Sequence, residues 1–513
     1  MTGRFRLRDR NASGWWSDKR FLFALVLLCA VPLAWPSLPP LTDALGHLAR
    51  YHIETTIDRS PALQRYYAFH WTLIGNLGVD VLIIPLAKLL GVEAATKLVA
   101  LAIPPLTAAG LILIAVEVHG RAPPTLAFAL PLAYGYPFQF GFLNFSLAMA
   151  LALLAFALWL RLGRTGRPAL RATIFVPLGV LLWTCHVFGW ALLATMAAAA
   201  EAVVLVRGRA DGWRAARRFV LALLPLAPPL LLMALWRSGE VAGETGDWFN
   251  LPVKLTWLIA VLRDRWEVLD RVSAAILLFL AVAGAVERKL GYATVLAAAS
   301  AALALVFIAL PRILLGSAYA DMRLAPYLLA IAIVAIRTPS SPRLQRALAL
   351  GALAFFFVRI GASTASYAMF DQGYRRQLAA IDHIPYGARV IAFVGTACQR
   401  DWSGARMEHL GGLATVRRDA FVNDSWALSG AQLLKVRYPA AGAFATDPSQ
   451  IVRPAGCRQP GEPARAGLLK RLPHTAFDYL WIINMPGAGD LRDDRFARVW
   501  SITDGALYRI RRD

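Results

Sequence analysis

Apolar residues run through the first two thirds of the chain in stretches too long for a soluble core to use. Leu98–Val116, Phe142–Leu160 and Phe219–Trp236 each approach the roughly 20 residues that cross about 30 Å of hydrocarbon, and none of the three contains Lys or Arg. The same pattern predicts about eleven transmembrane helices, near 21–38, 97–117, 124–137, 141–160, 172–189, 190–206, 219–236, 272–286, 290–310, 324–336 and 345–361. Val79–Leu90 is also apolar, but it is short and carries Asp80, Pro85 and Lys88, and it reads as interfacial. From about Phe370 the pattern changes. Short β-type runs at Ala388–Val394, Tyr479–Ile483, Ala497–Ile502 and Ala506–Ile510 alternate with Pro- and Gly-rich turns. The expected fold class is an all-α polytopic membrane domain with a small C-terminal α/β or α+β soluble domain.

Composition agrees with a bilayer as the main solvent, since 58% of the 513 residues are hydrophobic and only 17% are charged. The net charge of +22 would suggest nucleic acid in a soluble protein. Here the basic residues sit in short loops: Arg4, Arg6, Arg8, Arg10, Lys19 and Arg20 precede the first span, and clusters recur at Arg161–Arg171, Arg207–Arg218, Glu287–Lys289 and Arg337–Arg346. This is a positive-inside signature rather than a strand-binding surface, so no nucleic-acid partner is expected. It predicts a multi-pass protein of the plasma (inner) membrane. Residues 1–20 form a cytoplasmic basic N-terminus, 21–369 a membrane domain with a large first external loop at 39–96, and 370–513 an extracytoplasmic domain. Cys398 and Cys457 both fall in that external part while Cys29 and Cys185 lie in predicted spans, which makes the outer two a candidate disulfide.

Ionisable groups at a membrane are costly, so each one there is a candidate for function. Asp43 follows the first span at the start of a predicted amphipathic surface helix, with His47 four residues on and Arg50 seven on, so all three share one helix face. A carboxylate there can serve as general base or metal ligand, oriented by His47, or simply complement the helix macrodipole. Asp321 and Arg323, in Tyr319-Ala-Asp-Met-Arg-Leu-Ala-Pro326, form a second cluster in which the guanidinium could hold a phosphate or snorkel as an anchor. His186 lies inside a predicted span and reads equally as a packed interhelical residue. Asn144, after the aromatic run Tyr134–Phe140, could bind a sugar hydroxyl or cap an aromatic belt. Asp58, Asp80, Glu117 and the loop acids Glu240, Glu244 and Asp247 are weaker candidates. Walker-type loops, clustered Cys/His zinc spacings and nucleophile elbows are absent from the sequence.

The order of these pieces resembles the GT-C-type integral-membrane glycosyltransferases. The resemblance rests on Asp43 after the first helix, the Leu45–Tyr51 helix, Leu89-Leu-Gly91 with Lys97 where an Arg is usual, and the Asp-x-Arg-x-x-Pro at Asp321–Pro326. It implies a sugar transferred from a polyprenyl-phosphate-linked donor to a lipid, glycan or protein acceptor at the outer membrane face. Asp43 and His47 would then be catalytic, and Arg50, Asn144, His186, Asp321 and Arg323 would bind substrate. The chain departs from the family pattern where Asp43 is followed by Ala44 and the next acid is Glu54. No cofactor is firmly implied, and a divalent metal stays open. Two other classes compete, a transporter or flippase of an amphipathic substrate and a non-catalytic membrane scaffold. The polar residues cluster at predicted helix ends, with no clear internal repeat, which favours surface chemistry over passage.

Overall fold

The computed structural model describes residues 14–208, 212–237, 244–314, 316–398, 401–426, 432–458, 460–462 and 464–512. The basic residues Arg4 to Arg10 and the acid Glu240 lie outside the described residues. Among the described residues, six helices are long and apolar enough to cross a membrane, or seven if Gly212–Leu226 and Pro228–Trp236, bent by 59°, form one span. The expectation of about eleven is therefore too fine a count.

Its departures have local causes. The first predicted span is a capped helix, α1 (Lys19–Leu28), whose Asp18 side chain accepts from the Arg20 and Phe21 amides; it breaks at Cys29, just before Pro32. Segment 124–137 is not one continuous helix. Pro131 and Pro137 open separate helical turns, and it becomes Leu126–Ala129, Leu130–Tyr134 and Tyr136–Phe140. Thr294–Ala309 and Met322–Val334 are shorter apolar helices.

The site described below is framed by α2 (Ala44–Thr56), α3 (Gly78–Leu90), α4 (Val92–His119), α5 (Leu143–Arg164), α6 (Pro168–Cys185), α7 (Val187–Gly208) and α8 (Pro342–Leu378). At 13 residues α3 is about 20 Å long, short of a bilayer crossing. It leaves Val81, Leu82, Leu89 and Leu90 exposed while burying Val79, Asp80 and Ile83.

The tail is built on β2 (Arg389–Gly395), whose central residues are all buried. A continuous run such as Val390-Ile-Ala-Phe-Val394 suits a parallel strand covered on both faces, and β2 pairs in parallel with β3 (Phe421–Val422), β5 (Ile451–Val452) and β6 (Tyr479–Ile483). Antiparallel β8 (Gly505–Ile510) and β7 (Phe496–Ile502) complete the sheet. A disulfide joins Cys398 to Cys457, with Cα atoms 5.7 Å apart.

The first loop is part of this tail fold. Its strand β1 (Tyr67–Phe69) pairs antiparallel with β4 (Leu434–Val436), and Ile53, Leu63, Tyr66 and Tyr67 share a core with Phe393, Phe421 and Ile482. Leu45, Leu48 and Ala49 of α2 pack into a second tail cluster around Val390 and Trp481, while Ala44 and Tyr51 belong to the membrane-helix core. The surface-lying amphipathic helix expected here is thus enclosed on both sides. The apolar stripe was legible, but periodicity cannot tell whether lipid or protein covers it.

One buried guanidinium clamps the two layers. Arg406, from the tail loop after β2, donates to Pro40 O (2.6 Å), Gln139 Oε1 (2.9 Å) and Asp264 Oδ1 (2.6 Å). Tyr367 and Ser366 of α8 donate to Gln139 and Asp264 respectively. Both members of the Arg406–Asp264 pair are 2% exposed. Removing one member of such a pair leaves an uncompensated charge, at a cost of about 3–5 kcal/mol. Arg406→Met should therefore lower the thermal unfolding midpoint of the purified full chain sharply. Adding Asp264→Leu should recover part of the loss, and equal midpoints for Arg406→Met and the native chain would contradict the clamp.

Candidate functional site

The turn Phe140-Gly141-Phe142 is the floor of the candidate site. Asp43 N donates to Phe140 O (2.8 Å), which seats the start of α2 on the turn. Gly141 has φ +97°, and a Cβ there would lie 2.7 Å from Asp43 N and 2.8 Å from Ala44 N, so no other residue allows this approach. The Arg323 guanidinium lies 4.4 Å from the centre of the Phe142 ring. Asp43 and Arg323, 280 residues apart by number, thus both meet a stretch of three consecutive residues.

Asp43 occupies the N-cap position of α2 without making a capping bond. Its carboxylate, 15% exposed, faces the His409 Nε2 at 4.0 Å. Burial raises its proton affinity well above the usual carboxylate range, Glu408 and Asp447 add to the rise, and Arg323 opposes it. Arg323 donates to Ser317 Oγ (3.1 Å) and also lies 5.8 Å from the Phe145 and Phe188 rings, while its Nε has no protein partner. A cation held on aromatic faces with a free N–H keeps capacity for an anion.

The other residues singled out from sequence divide into two groups. His47 remains at the site: its ring lies 5.0 Å from Trp426, its Nδ1 has no protein partner, and burial followed by the Arg50 charge holds it well below the ordinary imidazole range. His186 is near Arg323, at the break between α6 and α7, where its Nδ1 accepts from Phe188 N (3.2 Å) and its ring meets Phe145 edge-on at 5.5 Å. Arg50 and Asn144 face elsewhere. Arg50 makes a buried ion pair with Asp80, to which Asn144 Nδ2 donates at 2.9 Å while its Oδ1 accepts from Val79 N. This network fastens α3 to α2 and α5. Asp321, fully buried, accepts from Lys254 Nζ (3.3 Å), Trp257 Nε1 (3.1 Å) and Met322 N (2.9 Å), so its carboxylate is committed to anchoring the turn that presents Arg323.

Sequence reasoning missed Glu408, His409, Trp426 and Asp447, all from the tail. Burial and Asp447 push the Glu408 carboxyl up to about 7. The one signal for them is Glu408-His409 standing between Met407 and Leu410-Gly-Gly412, charged residues in an apolar, glycine-flanked stretch. Among the described residues there is no group of three or more His, Cys, Asp or Glu that could hold a metal ion. A depression of about 440 Å³ on the tail, lined by Gly442, Phe444, Leu468 and Arg471 among others, takes in none of these groups.

Asp424, 1% exposed and without a side-chain partner, is pushed up to about 7 by burial, the Gly412 amide opposing the rise. A carboxyl raised in the folded state binds more protons than when unfolded, so its ionisation destabilises the fold as pH rises from about 4 toward 7. Between about pH 5 and pH 8 the thermal midpoint of the native chain should therefore drop relative to that of Asp424→Asn, the buried histidines contributing equally to both. A difference between the two that stays constant over this interval would contradict the assignment.

No protein-family model matches the chain, and no curated protein sequence matches it. The chain is similar in structure to ArnT from Cupriavidus metallidurans, crystallised bound to undecaprenyl phosphate, at 13% sequence identity and a TM-score of 0.47 over 95% of this chain and 96% of that one.

Proposed function

We propose that the protein is a membrane glycosyltransferase that moves a sugar from a polyprenyl-phosphate-linked donor to an acceptor hydroxyl. One observation supports the reading: a buried carboxylate of raised proton affinity and a guanidinium with a free N–H both lie against the Phe140–Phe142 turn. Transfer from a lipid phosphate needs one group to take the acceptor's proton and another to hold the phosphate that departs, within reach of a single anomeric carbon. Asp43 serves as the base and Arg323 as the phosphate holder, with His47 and His186 lining their surroundings. Arg50, Asn144 and Asp321 act by positioning.

The location supports a lipid-linked donor. The site lies where the N-terminal end of α5 meets the tail, and the basic residues Arg161 and Arg164 lie at the other end of that 22-residue helix, about 33 Å away. With those arginines in the cytoplasm, the site and tail face outward from the inner membrane, where a lipid-linked sugar needs no nucleotide. The acceptor is a lipid, glycan or protein.

The test is transfer of radiolabelled sugar from a polyprenyl-phosphate donor by the purified full chain in lipid. Asp43→Asn should lower the rate by about 10²–10⁴ and Arg323→Ala by about 10²–10³. Arg323→Lys should recover only part, since an ammonium lacks the fork. Undiminished transfer by both Asp43→Asn and Arg323→Ala would sink the reading.

A further inference from the structure

Asp43 takes a proton in the proposed reaction, and because burial and the neighbouring acids make it hold that proton tightly, the proton needs a route out before the next turnover. The nearest imidazole belongs to the tail. His409, 2% exposed, has its Nδ1 3.1 Å from Asp424 O. A carbonyl oxygen can only accept, so Nδ1 carries the ring proton and Nε2, the atom facing Asp43 at 4.0 Å, has its lone pair free. The ring is held in this pose. Trp426 lies 4.3 Å from it, and both pack on Gly46 of α2, where a Cβ would come within 2.6 Å of Trp426 and 3.0 Å of the His409 ring.

We infer that His409 is the second proton holder of the site, receiving on Nε2 the proton that Asp43 removes from the acceptor. The inference rests on the proposed transfer reaction. In that step the acceptor O–H breaks, its proton passes to Asp43 and its oxygen bonds to the anomeric carbon. The bond from that carbon to the phosphate oxygen breaks, and the electron pair leaves with the phosphate beside Arg323. The proton then moves from Asp43 Oδ1 to His409 Nε2, and the imidazolium releases it to water before the next turnover. The 4.0 Å separation closes by a small side-chain adjustment, as such contacts do when substrate fills a site.

The groups around the pair are consistent with this division. Asp43 feels Glu408, Asp447 and Arg323; His409 feels Asp447 and the Asp424 backbone, with His47 on the neighbouring α2 helix. Burial keeps His409 below the ordinary imidazole range, so the ring enters the reaction neutral and able to accept. Asp447, which favours the charged ring, stabilises it once the proton arrives. Because His409 acts through Asp43 it is a positioning residue, and the pair titrates as a unit.

Two measurements on the full chain in lipid decide the matter. In the pH–rate profile of transfer, His409→Gln should lower kcat at least about tenfold with KM nearly unchanged, and should move the acid limb to lower pH because the free pair loses one proton-binding site. A loss of rate with an unmoved acid limb would reduce His409 to a packing residue and overturn the inference. The second measurement needs no activity: ¹⁵N-histidine solid-state NMR, with His409→Gln assigning the signal and the other histidine signals reporting that the variant is folded. His409 should show a bare Nε2 and a protonated Nδ1 at neutral pH, and Asp43→Asn should displace both the Nε2 shift and its titration. The opposite tautomer, or indifference to Asp43→Asn, would overturn the inference. Absence of transfer by the native protein would instead remove the proposed function, leaving the shared proton to be judged by NMR.

Discussion

The burial of Arg406 against Asp264 and Gln139 is the constraint on which the rest of the arrangement depends. The tail and the membrane helices have separate hydrophobic clusters, and non-directional apolar contact alone would let the two layers slide. A guanidinium with partners at Pro40, Gln139 and Asp264 has one satisfied position and many costly ones. A neighbouring bond repeats the device, since Trp402 Nε1 donates to Asp270 Oδ2, whose other oxygen pairs with buried Arg359. Because Glu408 and His409 lie two and three residues after Arg406, the clamp also sets where the tail's ionisable groups meet Asp43.

The site is electrostatically expensive by comparison. Asp43, Glu408 and Asp424 all hold protons more tightly than free carboxyls do, each chiefly through burial. Such clustering weakens a fold unless the surroundings compensate, and perturbed groups of this kind gather where chemistry is done. The buried Arg50–Asp80–Asn144 network next door is different in kind, because its charges are paired and its role is to join helices.

Local patterns foretold local features. The strands expected at Tyr479–Ile483 and near 388–394 and 506–510 coincide closely with β6, β2 and β8, because alternation and continuous β-branched runs depend on near neighbours. Asp43 and Arg323 stood out because charge beside an apolar span is conspicuous on its own. Arg50 shared the Asp43 face by spacing, yet its long side chain turned to Asp80, an acid on another helix that no helical wheel includes. His409 and Trp426 were invisible for the same reason, since their relation to Asp43 exists only after more than 360 intervening residues have folded. The broken segment at 124–137 was legible in principle, as Pro131 and Pro137 were in view, but hydropathy outweighed them.

The pairing of β1 with β4 bears on how the protein is made. Tyr67 finds its partner Val436 only after 369 further residues have been made, and at about 5–20 residues per second the wait lasts tens of seconds. Through that interval the first loop has an unpaired strand edge and an apolar face of α2 with nothing to cover them. Folding therefore passes through an intermediate in which the membrane helices have formed while the surface around Asp43 is still open. Truncation before Leu434 would leave that edge unpaired permanently.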